Sequence, residues 1–383
     1  MARRTKTIAY KKELFMIKDI EISNFKIIES LKLTDLKRVN IIAGKNGKGK
    51  TSILDSIFIS NDIESPDCLI KPVVFRGGIP DLTNNELWSS YFRDFDKSKD
   101  ITIKITNKNG QKQETKISVE GINSNTPNIG TISSDHIDKN KISPRSSKGG
   151  EVLKIRKYDS TQEKNKQIKI EVTQQINGNQ ITANLVKHGK DAEPTTTTFI
   201  TTSNSINNAN MVSVMGGLIR NKDKDSIIES MRSINGKIKD IQIGIINQET
   251  EIIFDIGGNK LVGLSAMGEG VGKLLTILVV SYSTKNGIIL IDEIENGIHY
   301  SLIPSIIKTL VEQSLKNNNQ IFITTHSSDV VNGAANLFSS GSISESDVSY
   351  TRIGYSDNKK KSIVNSFTLS EVKLSSEEKW EIR

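Results

Sequence analysis

Residues 41–51, IIAGKNGKGKT, match the pattern G-x-x-x-x-G-K-[ST] in full. An apolar run, 39–43, precedes the glycines, and the residues that follow, 52–58, have helical spacing. Glycines 44, 47 and 49 let the backbone turn tightly, so that successive N–H groups point inward at phosphate oxygens. The segment therefore predicts a phosphate-binding loop between a strand and a helix.

This loop predicts the binding of a nucleoside triphosphate. Lys50 is expected to reach the β- and γ-phosphates, and the Thr51 hydroxyl to hold Mg²⁺. Lys48 occupies a position where a small residue or serine is common, and it adds positive charge near the phosphates. The residues expected to contact the nucleotide are Gly44, Lys45, Asn46, Gly47, Lys48, Gly49, Lys50, Thr51 and Ser52.

The bulk composition narrows the class of protein. A length of 383 residues predicts about two to three domains. The single cysteine, Cys68, excludes an internal disulfide and favours a reducing cytoplasm. Apolar runs stay well below the ~18 residues of a membrane span, so we expect a soluble, cytoplasmic protein without a membrane partner. The net charge of +8 fits either an anionic partner such as DNA or a lysine-rich solvated surface.

Three segments differ in pattern along the chain. Residues 15–100 carry two short strands and the phosphate-binding loop, and form the N-terminal part of the predicted ATPase domain. Residues 101–202 contain β-type runs with polar alternation, which predict an antiparallel β-rich lobe. Within it, 123–150 is rich in Ser, Asn, Lys and Gly, and is expected to be a mobile loop. Residues 203–383 form the predicted C-terminal part.

The C-terminal part alternates between helical and strand patterns. Residues 271–282 and 300–315 read as helices, whereas 287–291 and 321–325 read as continuous apolar strands. Apolar strands flanked by helices indicate a parallel sheet with both faces covered. The predicted fold class is therefore α/β, with a mostly parallel sheet, an antiparallel β-rich lobe and an inserted middle segment.

A second motif, IILIDE at 288–293, ends an apolar strand in two acids. Ligands of such folds bind at the carboxyl ends of the strands. Asp292 is expected to support Mg²⁺ through a water, and Glu293 to activate the attacking water as general base. The next strand, 321–325, ends at His326, which is expected to donate to the γ-phosphate. Glu293, His326 and Lys50 are thus the candidate catalytic residues.

The segment LSAMGEGVGK, 264–273, places small residues at the start of a helix. Free backbone N–H groups at a helix N-terminus form a second phosphate-binding surface. Because the first loop already holds the phosphates of its own chain, this surface is expected to cap a nucleotide held by another copy. The contacting residues are expected to be Ser265, Met267, Gly268, Glu269 and Gly270.

The order of these motifs resembles the ATPase heads of the ABC superfamily, in the branch shared by OLD-family, RecF-type and SMC-type proteins. The phrases that carry the resemblance are ISNFK at 22–26, MGEG at 267–270, DEIENGIH at 292–299 and TTHS at 324–327. The resemblance implies an ABC-ATPase head that closes as a homodimer around two ATP molecules, with Mg²⁺ as a cofactor. It also implies that 295–299 crosses the dimer interface. In the register of Gly268 and Glu269, Ala266 stands at the serine position of the family signature, and Ser265 is one residue away.

Several functions are compatible with such an ATPase. The first is a nucleotide switch that serves as ATPase and sensor subunit of a prokaryotic anti-phage or anti-plasmid system, with a separate effector protein. The second is a DNA-binding clamp in DNA repair or maintenance. A scaffold that binds ATP without hydrolysis has no need of Glu293. The segment after His326, at fewer than about 60 residues, is too short for the nuclease domain of OLD-family chains.

Overall fold

The computed structural model describes residues 16–65, 67–79, 86–121, 151–160, 167–177, 180–188, 195–201, 208–246, 248–356 and 361–377. Within these ranges the strands are β1 (Ile17–Phe25), β2 (Ile28–Leu33), β3 (Val39–Ala43), β4 (Ile101–Asn107), β5 (Lys112–Gly121), β6 (Glu151–Asp159), β7 (Gln167–Asn177), β8 (Gln180–Lys187), β9 (Thr197–Ile200), β10 (Asp240–Ile246), β11 (Glu249–Asp255), β12 (Val262–Gly263), β13 (Ile288–Ile291), β14 (Gln320–Thr325), β15 (Val348–Ser356) and β16 (Lys361–Phe367). The helices are α1 (Lys50–Asn61), α2 (Lys71–Phe75), α3 (Glu86–Ser89), α4 (Asn208–Arg220), α5 (Lys224–Ile234), α6 (Glu269–Ser283), α7 (Ile303–Asn317), α8 (Ser328–Ser339) and α9 (Leu369–Glu377).

The chain divides into two compact units. The first contains residues 1–36, 46–197 and 353–364, and the second contains 37–45, 198–352 and 365–383. The boundary at 45/46 falls inside the glycine-rich loop. The predicted division into 15–100, 101–202 and 203–383 stays a prediction.

A parallel sheet forms the centre of the second unit. Its strand order is β15-β3-β14-β13-β9, and β16 extends it beyond β15. Strands β15, β3, β14 and β13 are mutually parallel, with Ile41 opposite both Ile323 and Tyr350. Every residue of β3, β13 and β14 is buried, which explains the continuous apolar runs in the sequence.

Amphipathic helices complete the core of the second unit. Nine consecutive residues of α6, from Leu274 to Tyr282, are buried, and all except Thr276 and Ser281 belong to one hydrophobic cluster with side chains of α4, α5, α7 and α8. Helix α7 contacts both β3 and β14. A short 3-10 turn, Tyr300–Leu302, precedes α7, and Pro304 stands in the first turn of the helix. Because proline lacks an N–H, it suits this position and marks the start of the α-helix after the predicted residue 300.

An antiparallel sheet forms the centre of the first unit. Its order is β2-β1-β4-β5-β6-β7-β8, and every neighbouring pair of strands is antiparallel. Buried and exposed residues alternate along β4, where Ile101, Ile103 and Ile105 face inward. One face of this sheet is therefore apolar and the other polar, as expected for an antiparallel sheet.

The predicted α/β fold class is confirmed, with its mostly parallel sheet and antiparallel β-rich lobe. The lobe also takes in β1 and β2 from the N-terminal segment, which the sequence pattern had not joined to it. The predicted mobile loop, 123–150, lies outside the described residues. Among the helices that the structure describes, none combines the length and apolar character needed to cross a bilayer.

Candidate functional site

Three parallel strands of the second unit end at one edge of the sheet. Ala43 at the end of β3 lies opposite Thr325 at the end of β14, and Ile291 at the end of β13 lies opposite Ile323. Gly44, Asp292 and His326 follow these strands directly. Gly44, Asp292 and His326, which are predicted to contact phosphate or to support the metal, therefore lie along the carboxyl edge of this sheet, where ligands of parallel sheets bind.

The glycine-rich loop has the backbone that its glycines predict. Gly44, Gly47 and Gly49 have φ of 148°, 70° and 95°. A Cβ on Gly49 would lie 3.2 Å from Cγ1 of Ile28, so both its conformation and its surroundings favour glycine. Helix α1 begins at Lys50 without a side-chain cap, and Lys50 is buried. Backbone N–H groups of the first turn are thus presented at the positive end of the helix dipole.

A buried ion-pair network anchors α1. The carboxylate of Asp55, fully buried, accepts a hydrogen bond from Lys26 Nζ at 2.6 Å and another from Arg76 Nη2 at 2.6 Å. Two cations from outside the helix thereby fix a residue one turn after Thr51. Lys48 lies over the ring of Tyr355, with its Nζ 5.1 Å from the ring centroid. The nucleotide contacts of Lys45, Asn46, Lys48 and Ser52 stay predictions.

Thr324 binds both members of the acidic pair. Its hydroxyl donates to Asp292 Oδ1 at 2.6 Å and accepts the backbone N–H of Glu293 at 2.9 Å. The backbone N–H of Asp292 donates to the carbonyl of Ile200 at 2.8 Å on the neighbouring strand β9. Asp292 and Thr324 are both buried. One hydroxyl therefore fixes the end of β13 against the end of β14.

Glu293 has a left-handed backbone conformation, with φ of 48°. Non-glycine residues adopt this conformation at a cost, and its occurrence at a functional position indicates that the surroundings enforce it. Asn296 Nδ2 donates to Glu293 Oε2 at 2.6 Å, and the Asn296 N–H donates to the Glu293 carbonyl at 3.1 Å. The turn after β13 thus holds the carboxylate of the predicted base in a defined position.

Lys273 on α6 reaches the same turn. Its Nζ donates to the backbone carbonyl of Glu293 at 2.7 Å. Burial lowers the pKa of Lys273 to about 8, and nearby carboxylates oppose this shift. These carboxylates belong to Glu295, Glu293, Asp292 and Glu269.

Glu295 orients His326, the predicted donor to the γ-phosphate. Glu295 Oε1 lies 3.0 Å from His326 Nδ1 and accepts the backbone N–H of His326 at 2.8 Å. The His326 side chain is 41% exposed, whereas that of Glu295 is 12% exposed. With Nδ1 bound to the carboxylate, Nε2 is the ring nitrogen left to face a ligand.

The predicted signature forms an exposed helix start. Residues Leu264–Ala266 form a 3-10 turn, and α6 begins after Gly268, whose φ is 88°. Ser265, Gly268 and Glu269 are exposed. The Ser265 N–H donates to Glu251 Oε1 at 2.9 Å, which fixes the turn. A Cβ on Gly270 would lie 2.3 Å from the carbonyl oxygen of Gly297, so the first turn of α6 packs directly on the 295–299 segment. The contacts of Met267 with nucleotide stay a prediction.

The predicted metal residues are Thr51 and Asp292. Hydroxyl and carboxylate oxygens are the hard ligands that Mg²⁺ prefers, and Mg²⁺ commonly takes its other ligands from substrate phosphates and water. Across the described residues, His, Cys, Asp and Glu side chains form no group of three or more able to hold a metal ion. The Thr51 hydroxyl in the first unit and the Asp292 carboxylate in the second are each ligands of the kind that Mg²⁺ takes, and their joint metal site stays a prediction.

The sequence analysis did not predict that four residues bind the acidic pair or His326: Thr324, Lys273, Asn296 and Glu295. Asn296 and Glu295 lie inside the DEIEN phrase, which was the available signal for them. Lys273 and Thr324 reach the acidic pair from other elements, α6 and β14, and no local pattern indicates such contacts.

A glycine-rich loop that opens a helix after a buried parallel strand, and an acidic pair that ends another, define a P-loop nucleoside triphosphatase. A family model described as "AAA domain, putative AbiEii toxin, Type IV TA system" matches residues 39–332. The chain belongs to this AAA-domain family and is an ATPase, as predicted. The assignment to the OLD-family branch stays a prediction.

Two relatives are similar to this chain, one over most of its length and one over a short segment. A Helicobacter pylori protein named ATP/GTP phosphatase is 24% identical over 327 residues, which cover 82% of this chain and 86% of that protein. An uncharacterised protein of Methanocaldococcus jannaschii is 52% identical over 42 residues, which cover 11% of this chain and 19% of that protein.

Two solved SMC head structures align over most of the chain. The crystal structure of an SMC head bound to the C-terminal winged-helix domain of ScpA has 13% identity and a TM-score of 0.47, covering 93% of this chain and 98% of its own. The Smc head from Pyrococcus furiosus, with an extended coiled coil and bound to the C-terminal domain of ScpA, has 12% identity and a TM-score of 0.45. It covers 96% of this chain and 100% of its own.

Proposed function

We propose that the chain is a nucleotide switch that hydrolyses MgATP and closes as a homodimer around two ATP molecules. The observation that carries this proposal is the turn after β13, where Glu293 takes a left-handed conformation and its carboxylate is bound by Asn296. A carboxylate held rigidly beside a buried Asp292 suits a general base that must be placed before substrate arrives. The name ATP/GTP phosphatase, given to a relative, is consistent with hydrolysis.

Each residue has a proposed role in this reaction. Lys50 binds the β- and γ-phosphates, while Thr51 and Asp292 hold Mg²⁺ beside the phosphates. Bound Mg²⁺ would neutralise charge that develops on the phosphates during transfer. His326, oriented by Glu295, donates through Nε2 to the γ-phosphate. Glu293 takes a proton from the attacking water.

Dimer closure is proposed from the exposed signature. Gly268 and Glu269 at the start of α6 are exposed and lack a side-chain cap, so their helix end has N–H groups to offer a phosphate of a second copy. The exposed ring of His299 lies in the 295–299 segment proposed to cross the dimer interface, and the exposed ring of Tyr300 follows it directly, with the two ring centroids 4.4 Å apart. ATP would thus join two chains that separate after hydrolysis.

The biological role is proposed to be prokaryotic defence. The description of the matched family includes a putative toxin of a type IV toxin–antitoxin system, which supports a defence context. Within that context, the chain is proposed to be the ATPase and sensor subunit, with a separate effector protein. A cytoplasmic location is part of this proposal and rests on the single cysteine. The alternative, a DNA clamp, is favoured by the net charge of +8.

Steady-state MgATP hydrolysis with and without duplex DNA, across a salt series, tests these roles. Glu293→Gln is expected to retain ATP binding, lose turnover and accumulate dimers in light scattering. Lys50→Ala is expected to lose ATP binding. Unchanged turnover in Glu293→Gln would refute the assignment of the base. Stimulation by DNA that weakens with salt would favour the DNA clamp, because phosphate contacts release counterions.

A further inference from the structure

Lys273 is a half-buried cation that the roles proposed above do not use. It lies in the second turn of α6, and its Nζ donates to the Glu293 carbonyl at 2.7 Å. Among the residues that the structure describes, its side chain makes no other hydrogen bond. The ammonium group therefore binds the backbone of Glu293, the proposed catalytic base, and connects α6 to the turn after β13 within the second unit.

The side chains of three residues bind Glu293. Thr324 on β14 accepts the backbone N–H of Glu293, and Lys273 on α6 donates to the Glu293 carbonyl. Asn296 donates to the Glu293 carboxylate. Asn296 belongs to the turn itself, whereas Thr324 and Lys273 fix the turn from outside. Together the two outside contacts hold the peptide groups on both sides of a residue with φ of 48°. Release of either would let the backbone relax towards common conformations.

We infer that Lys273 is a positioning residue for ATP hydrolysis, which fixes the direction of the Glu293 carboxylate through the Glu293 carbonyl. This inference rests on the proposed function, because it takes Glu293 as the base. Lys273 itself contacts neither nucleotide nor water in this role. Its charge also balances the carboxylates around the turn, which belong to Glu295, Glu293, Asp292 and Glu269.

Loss of Lys273 is expected to change catalysis more than folding. The Glu293 carbonyl retains a second donor, the Asn296 N–H at 3.1 Å, so it is not left without a partner. Methionine matches the length and apolar stem of lysine but has neither the donor nor the charge. Arginine keeps both, although its planar group cannot reproduce the geometry of an ammonium.

The experiment measures kcat and KM for MgATP in full-length Lys273→Met, Lys273→Gln and Lys273→Arg, with thermal unfolding of each. Lys285→Met is the matched control, because Lys285 is exposed and follows the same helix. We expect Lys273→Met and Lys273→Gln to lower kcat on the order of 10- to 100-fold, the effect of one charged hydrogen bond, with KM within about twofold. Lys273→Arg should recover most of the loss, and Lys285→Met should match the wild type.

The double variant Lys273→Met with Glu293→Gln separates this inference from the proposed function. If Lys273 acts through Glu293, the double variant is no slower than Glu293→Gln alone. Wild-type kcat in Lys273→Met, with turnover lost in Glu293→Gln, would overturn the positioning role and leave the base assigned. Turnover retained in Glu293→Gln would overturn the proposed function instead. If neither Met nor Gln at position 273 folds, or if KM rises as much as kcat falls, the positioning role is overturned.

Discussion

Thr324→Val removes one hydroxyl and nearly nothing else, because valine has the same shape as threonine. Thr324 is fully buried, and its Oγ1 donates to Asp292 while it accepts the Glu293 N–H. A hydrogen bond to a charged group contributes about 1.5–3 kcal/mol, and a neutral one about 0.5–1.5 kcal/mol. We therefore expect Thr324→Val to lower the free energy of unfolding by about 2–4 kcal/mol. Since the Glu293 N–H loses its acceptor, we also expect kcat for MgATP to fall by about tenfold or more.

Thr325→Val is the matched control for this prediction. Thr325 is equally buried on the same strand, but among the described residues its Oγ1 only accepts the Ser327 N–H, at 3.0 Å. Its replacement should cost about 1 kcal/mol, the value of a neutral hydrogen bond. Urea unfolding followed by far-UV circular dichroism compares the two variants at constant m. If both variants lose the same stability, or if Thr324→Val keeps wild-type kcat, then Thr324 does not hold the acidic pair as described.

Two further predictions concern the charged networks. Asp55→Asn leaves Lys26 and Arg76 without their buried carboxylate, and it should lower the free energy of unfolding by about 3–5 kcal/mol. Glu21→Gln, which breaks the exposed pair with Lys32, should cost less than about 1 kcal/mol, and an equal loss in both would contradict the role of burial. Glu295→Gln keeps an acceptor for His326 and should change kcat by less than about threefold, whereas Glu295→Ala should lower it about tenfold. Equal rates in the Gln and Ala variants would show that Glu295 does not orient the histidine.

The parallel sheet could be predicted from the sequence because its strands are buried on both faces. The predicted strands 287–291 and 321–325 correspond to β13 and β14, and the predicted ends differ from the observed ends by at most one residue. Strand β5 carries Lys112, Glu114 and Lys116 on one face, and β6 carries charged residues on both faces, so polar residues obscure the β pattern of these strands. The pairing of β1 with β4 joins segments far apart in the chain, with Ile20 opposite Ile105, which no local pattern encodes.

The site was predictable to the extent that its chemistry lies in continuous motifs. Asp292, Glu293 and His326 each follow a buried strand, so their place at the carboxyl edge follows from the fold. The side chains that bind them come from elsewhere: Lys273 is on α6, and Thr324 faces Asp292 from the next strand. Such contacts depend on how helices and strands pack, which the spacing of residues within one motif does not specify.

The close packing of Gly270 on Gly297 limits how this protein can change during evolution. Gly270 has no room for a side chain, because a Cβ would meet the Gly297 carbonyl, while Gly297 has a φ of 74° that favours glycine. The two positions therefore exclude substitution for different reasons, one by space and one by backbone conformation. Mutations that adapt the signature surface to a new partner must arise around this pair, at exposed positions such as Ser265 and Glu269. The packing contact between α6 and the 295–299 segment would then be conserved, while the exposed residues around it vary.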